Sequence, residues 1–184
     1  MNDTPTALVL LTKGSEEMEA VISIDVLRRG GIDVTVAGVE GAEPIQCSRG
    51  VVITPDVALE DVDRTFDVLV LPGGAEGAQR LAASERVGQV LRAQEESGRW
   101  VAAICAAPIA LEAHGVFRGR QLTSHPSARA MLEDWGDYSE HPVVADGNLI
   151  TSQGPGTAFP FALRIVGTLT SAERMLEVRA PMMF

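Results

Sequence analysis

Basic residues are scarce in this chain. Its 184 residues hold 15 lysines and arginines against 25 aspartates and glutamates, for a formal net charge of −10, and Lys13 is its only lysine. Binding phosphate backbones needs clustered positive charge, so a nucleic-acid partner is not expected. Cysteine is also sparse. Cys47 and Cys105 are the only two, too few for a disulfide scaffold. Two cysteines and three scattered histidines give no metal-ligand spacing, and the reading carries no metal and no cofactor. Long apolar runs are missing as well. Ala7–Leu11 is shorter than a signal-peptide core and far too short to span a bilayer, and no basic segment precedes it. The expectation is a cytoplasmic, reducing location with no membrane partner. Repeats, low-complexity segments and dividing linkers are also lacking, so residues 1–184 are read as a single domain.

What is present suits a packed core. Apolar residues make up 46% of the chain and charged residues 22%, which is enough to bury a core without staples. Short apolar runs alternate with amphipathic stretches. Ala7–Leu11, Val34–Ala37, Phe66–Leu71 and Trp100–Ile104 read as strands without polar alternation. Val51–Ile53 reads as an extra strand or hairpin arm, and Leu122–Ser124 and Asn148–Ser152 as later strands. Ser15–Arg29, Ser84–Glu96, Ala106 to about His114, Thr157–Leu169 and Ser171–Val178 read as helices. Asp146-Gly147 marks a tight turn between Val143-Val144 and Leu149-Ile150. Buried strands separated by helices predict an α/β fold, its mostly parallel sheet covered on both faces. Ligands of such sheets bind beyond the carboxyl ends of the strands. Thr12–Glu19, Pro72-Gly73-Gly74 and Cys105–Pro108 should meet there.

Cys105 is the sharpest chemical feature. It directly follows an apolar strand, and two alanines and Pro108 then open a helix. A thiol at a helix N-terminus is favoured as thiolate, the nucleophilic form; the competing reading is a buried structural cysteine. Glu19, one turn beyond Glu16, can point across the strand ends towards Cys105 and share one proton with it. By spacing alone it reads better as a solvated helix glutamate. His125 can act as base or orienting partner of the thiol, with Asp25 behind it, or can be a capped loop residue. The N–H groups of Gly73, Gly74 and Ala106 can form an oxyanion hole, or the glycines can simply make a turn. Gly154–Thr157 reads better as a structural turn than as an anion cradle, and Cys47 better as a packing thiol than as a redox partner.

Taken in order, Lys13-Gly-Ser-Glu-Glu-Met-Glu19, Gln46-Cys-Ser-Arg49, Val70-Leu-Pro-Gly-Gly74, Ala103-Ile-Cys-Ala-Ala-Pro108 and Thr151-Ser-Gln-Gly-Pro-Gly-Thr157 resemble the ThiJ/PfpI superfamily. They look most like its Parkinsonism-associated branch, the DJ-one proteins, with the Ala-Ala-Pro of bacterial relatives. The resemblance runs from Ala7 to Ala180-Pro181. It implies a flavodoxin-like sandwich and a homodimer. It makes Cys105 the nucleophile, Glu19 its protonated partner and His125 a neighbour. It turns the N–H groups of Gly74 and Ala106 to the reacting oxygen and puts Gly73 and Arg49 beside the substrate. The implied activity is a glutathione-independent glyoxalase or deglycase, acting on small 2-oxoaldehydes or on glycated proteins and nucleotides. The implied alternative is an oxidative-stress sensor and chaperone. A peptidase or amidase fits less well, because those branches place a histidine after the nucleophile where this chain has Ala106. Three departures stand out. Ala107 replaces the glycine of animal members, Thr54 replaces their second cysteine, and the tail stops early at Met182-Met183-Phe184.

Overall fold

A run that is apolar at every position suits a strand covered on both faces, and the fold is assembled from such runs. The computed structural model describes residues 4–183. Its first half contains β1 (Thr6–Leu11), α1 (Glu17–Arg29), β2 (Asp33–Gly38), β3 (Ile45–Gln46), β4 (Val52–Ile53), β5 (Val57–Ala58), β6 (Val68–Leu71), α2 (Ala75–Ala83) and α3 (Glu85–Glu96). The second half contains β7 (Trp100–Ile104), α4 (Ile109–Ala113), β8 (Gln121–Leu122), α5 (Arg129–Leu132), β9 (Asp137–Tyr138), β10 (Val143–Asp146), β11 (Leu149–Ser152), α6 (Ala158–Leu169) and α7 (Ala172–Arg179).

Seven strands form one sheet in the order β10-β11-β7-β6-β1-β2-β5. Every neighbouring pair is parallel except β10–β11. This is the expected flavodoxin-like α/β sandwich. Side chains alternate between its faces. Leu8, Leu10, Leu69, Leu71, Val101 and Ala103 join one core with α2, α3 and α4. Ala7, Val9, Val68, Val70, Ala102 and Ile104 join the other with α1, α6 and α7. Burying one leucine contributes about 2 kcal/mol, so each central strand is held from both sides.

The hairpin lies where the Asp-Gly pair places it. Asp146 pairs with Leu149, so Gly147-Asn148 is the two-residue turn, with Gly147 at φ +57°. Val52–Ile53 is a hairpin arm, antiparallel to β3. Two local expectations need correction. The stretch read as a helix from Ala106 is turn up to Pro108, and α4 holds only Ile109–Ala113. The predicted strand Leu122–Ser124 shrinks to Gln121–Leu122. Two helices went unread, α2 and the single turn α5. Between Gly74 and Ser84, α2 is rich in alanine and carries Gly77, and its buried face packs on Gly14 and Ser15. In the tail, Met182 packs on the core and Met183 is 89% exposed; Phe184 lies outside the described residues. No helix among the described residues is long and apolar enough to cross a membrane.

Candidate active site

Three strand ends converge at the carboxyl edge of the sheet. The β1–α1 loop lies over Gly74, whose N–H-bearing turn leads from β6 into α2. A Cβ on Gly74 would come within 2.2 Å of the Gly14 carbonyl oxygen. At φ +88° that backbone also favours glycine. β7 ends beside this turn and hands the chain to Cys105.

Cys105 sits in the left-handed region at φ +63°, a conformation that costs a non-glycine residue about 1–2 kcal/mol. The surroundings impose it. Its N–H donates to Ser152 O at 2.9 Å, and its carbonyl accepts from His125 N at 2.8 Å. This tight turn lifts the side chain off the end of β7, where it is half-buried.

Glu19 reaches the same point from α1. Glu16 caps that helix, accepting from Glu19 N at 2.9 Å. The Glu19 side chain is fully buried. Its Oε2 accepts from Gly73 N at 2.7 Å, its carboxyl group hydrogen-bonds the Cys105 side chain, and Oε1 is buried without a partner. An ionised carboxylate is costly in such a place. Burial therefore pushes the Glu19 carboxyl up to about 7, against the opposing pull of Gly73 N–H and the Cys105 side chain.

The thiol is not lowered as a helix N-terminus predicts. Burial first, and the negative charge of Glu19 second, push it up to about 12, although N–H groups of Gly74 and Ala106 donate to the sulfur. Two negative charges cannot share this pocket cheaply. Between those values the pair carries one charge and one proton.

The other residues singled out by sequence fall into two groups. Gly74 and Ala106 do contribute donors, and these face the sulfur. Gly73 does not offer a free donor: its N–H is taken by Glu19 and its carbonyl by Glu16 N at 3.0 Å. Its role is steric as well, because a Cβ there would lie 2.6 Å from Cys105 Cβ and 2.9 Å from Glu19 Oε2. His125 adjoins Cys105 through its backbone, but its Nδ1 is turned to Ser127. Asp25 does not support it, being paired with Arg29 at 2.6 Å. Arg49 is exposed, and its contacts run to Glu17 and the Ser48 carbonyl rather than to the thiol.

Gly154–Thr157 is a structural turn. The Thr157 hydroxyl accepts from the N–H groups of Gln153 and Gly154 at 3.2 and 3.0 Å. Cys47 is buried, and burial followed by the charges of Glu17 and Glu16 pushes its thiol up to about 11, which suits a packing thiol. Sequence reasoning missed Glu17. Burial works to raise this carboxyl, but donors from its own backbone, Ser48, Arg49 and Val51 outweigh it and hold it below the usual range. Glu17 thereby ties the 47–49 loop to α1. Its acidic position in a first helical turn was the available signal. Among the described residues, no group of three His, Cys, Asp or Glu side chains is arranged to hold a metal ion.

The DJ-1/PfpI family model matches residues 5–168. The chain belongs to the DJ-1/PfpI family. Among curated relatives, the Parkinson disease protein 7 homolog of Danio rerio is 54% identical over 180 residues, covering 96% of this chain and 95% of that protein. The glutathione-independent glyoxalase DJR-1.2 of Caenorhabditis elegans is 42% identical over 180 residues, covering 96% and 95%. The crystal structure of Drosophila melanogaster DJ-1beta superposes with a TM-score of 0.96 at 50% identity, covering 97% of each chain. In this DJ-1/PfpI protein the thiol–carboxyl pair thus stands on a fold shared nearly end to end with those relatives.

Proposed function

We propose that the protein is a cofactor-free, glutathione-independent glyoxalase acting on methylglyoxal and glyoxal through Cys105. One observation carries this reading: the Glu19 carboxyl group and the Cys105 sulfur are hydrogen-bonded at the sheet edge, holding one proton between them. The relative named as a glyoxalase supports it.

The reaction follows from that pair. With the proton on Glu19, the thiolate attacks the aldehyde carbon. A C–S bond forms, and the carbonyl electron pair moves to oxygen. Glu19 protonates that oxygen, giving a hemithioacetal, and is left as carboxylate. The N–H groups of Gly74 and Ala106, already aimed at the sulfur, lie beside the developing oxyanion. Glu19 then removes the proton from the former aldehyde carbon and returns it to the adjacent carbon, while the hydroxyl proton passes from the first oxygen to the second. The first carbon is oxidised, the second reduced, and a thioester results. Water cleaves the C–S bond, releasing lactate from methylglyoxal or glycolate from glyoxal and restoring the thiol. No external oxidant is needed. A deglycase acting on early adducts of amines would use the same sulfur adduct.

Purified protein is expected to consume methylglyoxal without glutathione and to yield lactate. Cys105→Ala abolishes this turnover and Glu19→Gln reduces it by about a hundredfold or more, the usual contribution of a positioned acid–base group. Undiminished turnover in Cys105→Ala overturns the reading.

A redox-sensor reading draws on the same donors, since N–H groups around a partly exposed sulfur would also hold a sulfinate. Repeated turnover separates the two, because a sensor does not cycle on oxoaldehydes. The homodimer is proposed through α1 and β4, where Met18, Val21, Val51 and Val52 leave a half-exposed apolar surface. Light scattering should find two chains per particle.

A further inference from the structure

We propose that Ser127 is a positioning residue that fixes the His125 ring as an Nε2–H donor facing the substrate. The inference rests on the oxoaldehyde reading only for the ligand that receives the bond.

His125 caps a short 3-10 turn, Pro126–Ala128. Two groups of Ser127 converge on one atom of its ring. Ser127 N lies 3.2 Å from Nδ1, and Ser127 Oγ lies 2.8 Å from the same Nδ1. A hydroxyl can give or accept a hydrogen, but a backbone N–H can only give. Where both bonds are made, Nδ1 accepts, and in the neutral ring it then carries no hydrogen. The hydroxyl, sharing that lone pair, must also donate. The hydrogen of the neutral imidazole is left on Nε2.

The placement gives this tautomer a consequence. His125 N donates to the Cys105 carbonyl at 2.8 Å, so the ring is tied to the turn that carries the sulfur. His125 is exposed, and its Cδ2 lies 3.7 Å from where a Cβ on Gly154 would stand. The ring nitrogen that Ser127 leaves free is thus an N–H donor rather than a lone pair. In its neutral form His125 cannot take a proton at Nε2. It can donate to the second carbonyl oxygen of a 2-oxoaldehyde, next to the carbon under attack. This differs from the general-base role that a histidine near a nucleophile first invites. The proline at 126 supports it, because Pro126 starts the turn that brings Ser127 N–H back onto the ring.

Long-range proton–nitrogen correlation spectra of the ¹⁵N-labelled protein at pH 8 report which ring nitrogen carries hydrogen. The expected wild-type spectrum has hydrogen on Nε2. In Ser127→Ala only the longer backbone bond, at 3.2 Å, remains to favour this tautomer, so a mixture of tautomers is expected. There kcat/KM for methylglyoxal should fall about fivefold, the usual worth of one hydrogen bond. Ser127→Thr should restore both readouts. Alkylation of Cys105 by iodoacetamide should stay unchanged throughout, which excludes general damage to the turn. Hydrogen on Nδ1 in the wild type overturns the proposal, as does a Ser127→Ala spectrum indistinguishable from the wild type. Absence of turnover in every variant would defeat the glyoxalase reading instead, and the spectra would still decide the tautomer.

Discussion

Beside Glu19 and Cys105 there is space for a glycine backbone and nothing larger. A Cβ on Gly73 would meet Cys105 Cβ at 2.6 Å, Ile104 O at 2.8 Å and Glu19 Oε2 at 2.9 Å. Two of these neighbours are the reacting pair, and the third is fixed backbone. Gly73→Ala is therefore expected to wedge acid and sulfur apart. Loss of about a hundredfold in kcat/KM for methylglyoxal is expected, since misplacement by about 1 Å has that scale. Thermal unfolding, measured alongside, should show that the variant still folds. Cys105 was legible from its position after a buried strand and before Pro108. Glu19 was not legible from spacing, because 86 positions separate it from Cys105 and an acidic residue two positions into a helix is ordinary. Spacing allowed the pairing without favouring it, and the family resemblance assigned it. The contribution of Gly73 was misread because an N–H at a strand end looks free until a buried side chain arrives to claim it.

The strands were legible because their burial leaves a plain record. Leu8 and Leu10 pack on one face and Ala7 and Val9 on the other, so β1 is apolar throughout. Leu10 is fully buried, and Leu10→Ala is expected to cost about 2–5 kcal/mol. Urea unfolding should show a lower midpoint without a change of slope. The helices were less legible where tertiary contact overrides composition. In α2, Gly77 is needed because a Cβ there would stand 2.9 Å from Ser15 Cα, and a glycine in a helix interior argues against a helix when read alone. After β7, the backbone at Cys105 turns left-handed before any helix can start. The same strain that shortens α4 lifts the thiol towards solvent.

At the scale of the whole molecule, the pair exists only because the sheet brings α1 and the β7 turn to one edge. Its charge cost is felt by the entire fold. Glu19 ionises at an ordinary 4.5 when unfolded and at about 7 when folded. Below 4.5 both states hold the proton and this group contributes nothing. As pH rises from 4.5 to 7 the unfolded chain releases the proton first, so stability falls, by about 3 kcal/mol in total. Glu19→Gln removes that titration. Its unfolding free energy should lose this slope between pH 4.5 and 7 and should exceed the wild type at pH 8, as read by urea unfolding across that range. The most direct test of the shared proton is the pH dependence of Cys105 alkylation in both proteins. The wild type is expected to gain reactivity with an apparent pKa of about 7, where the pair loses its first proton. Glu19→Gln should move that midpoint up to or beyond the ordinary cysteine value of about 8.5. A midpoint near 7 that survives in Glu19→Gln would contradict the account.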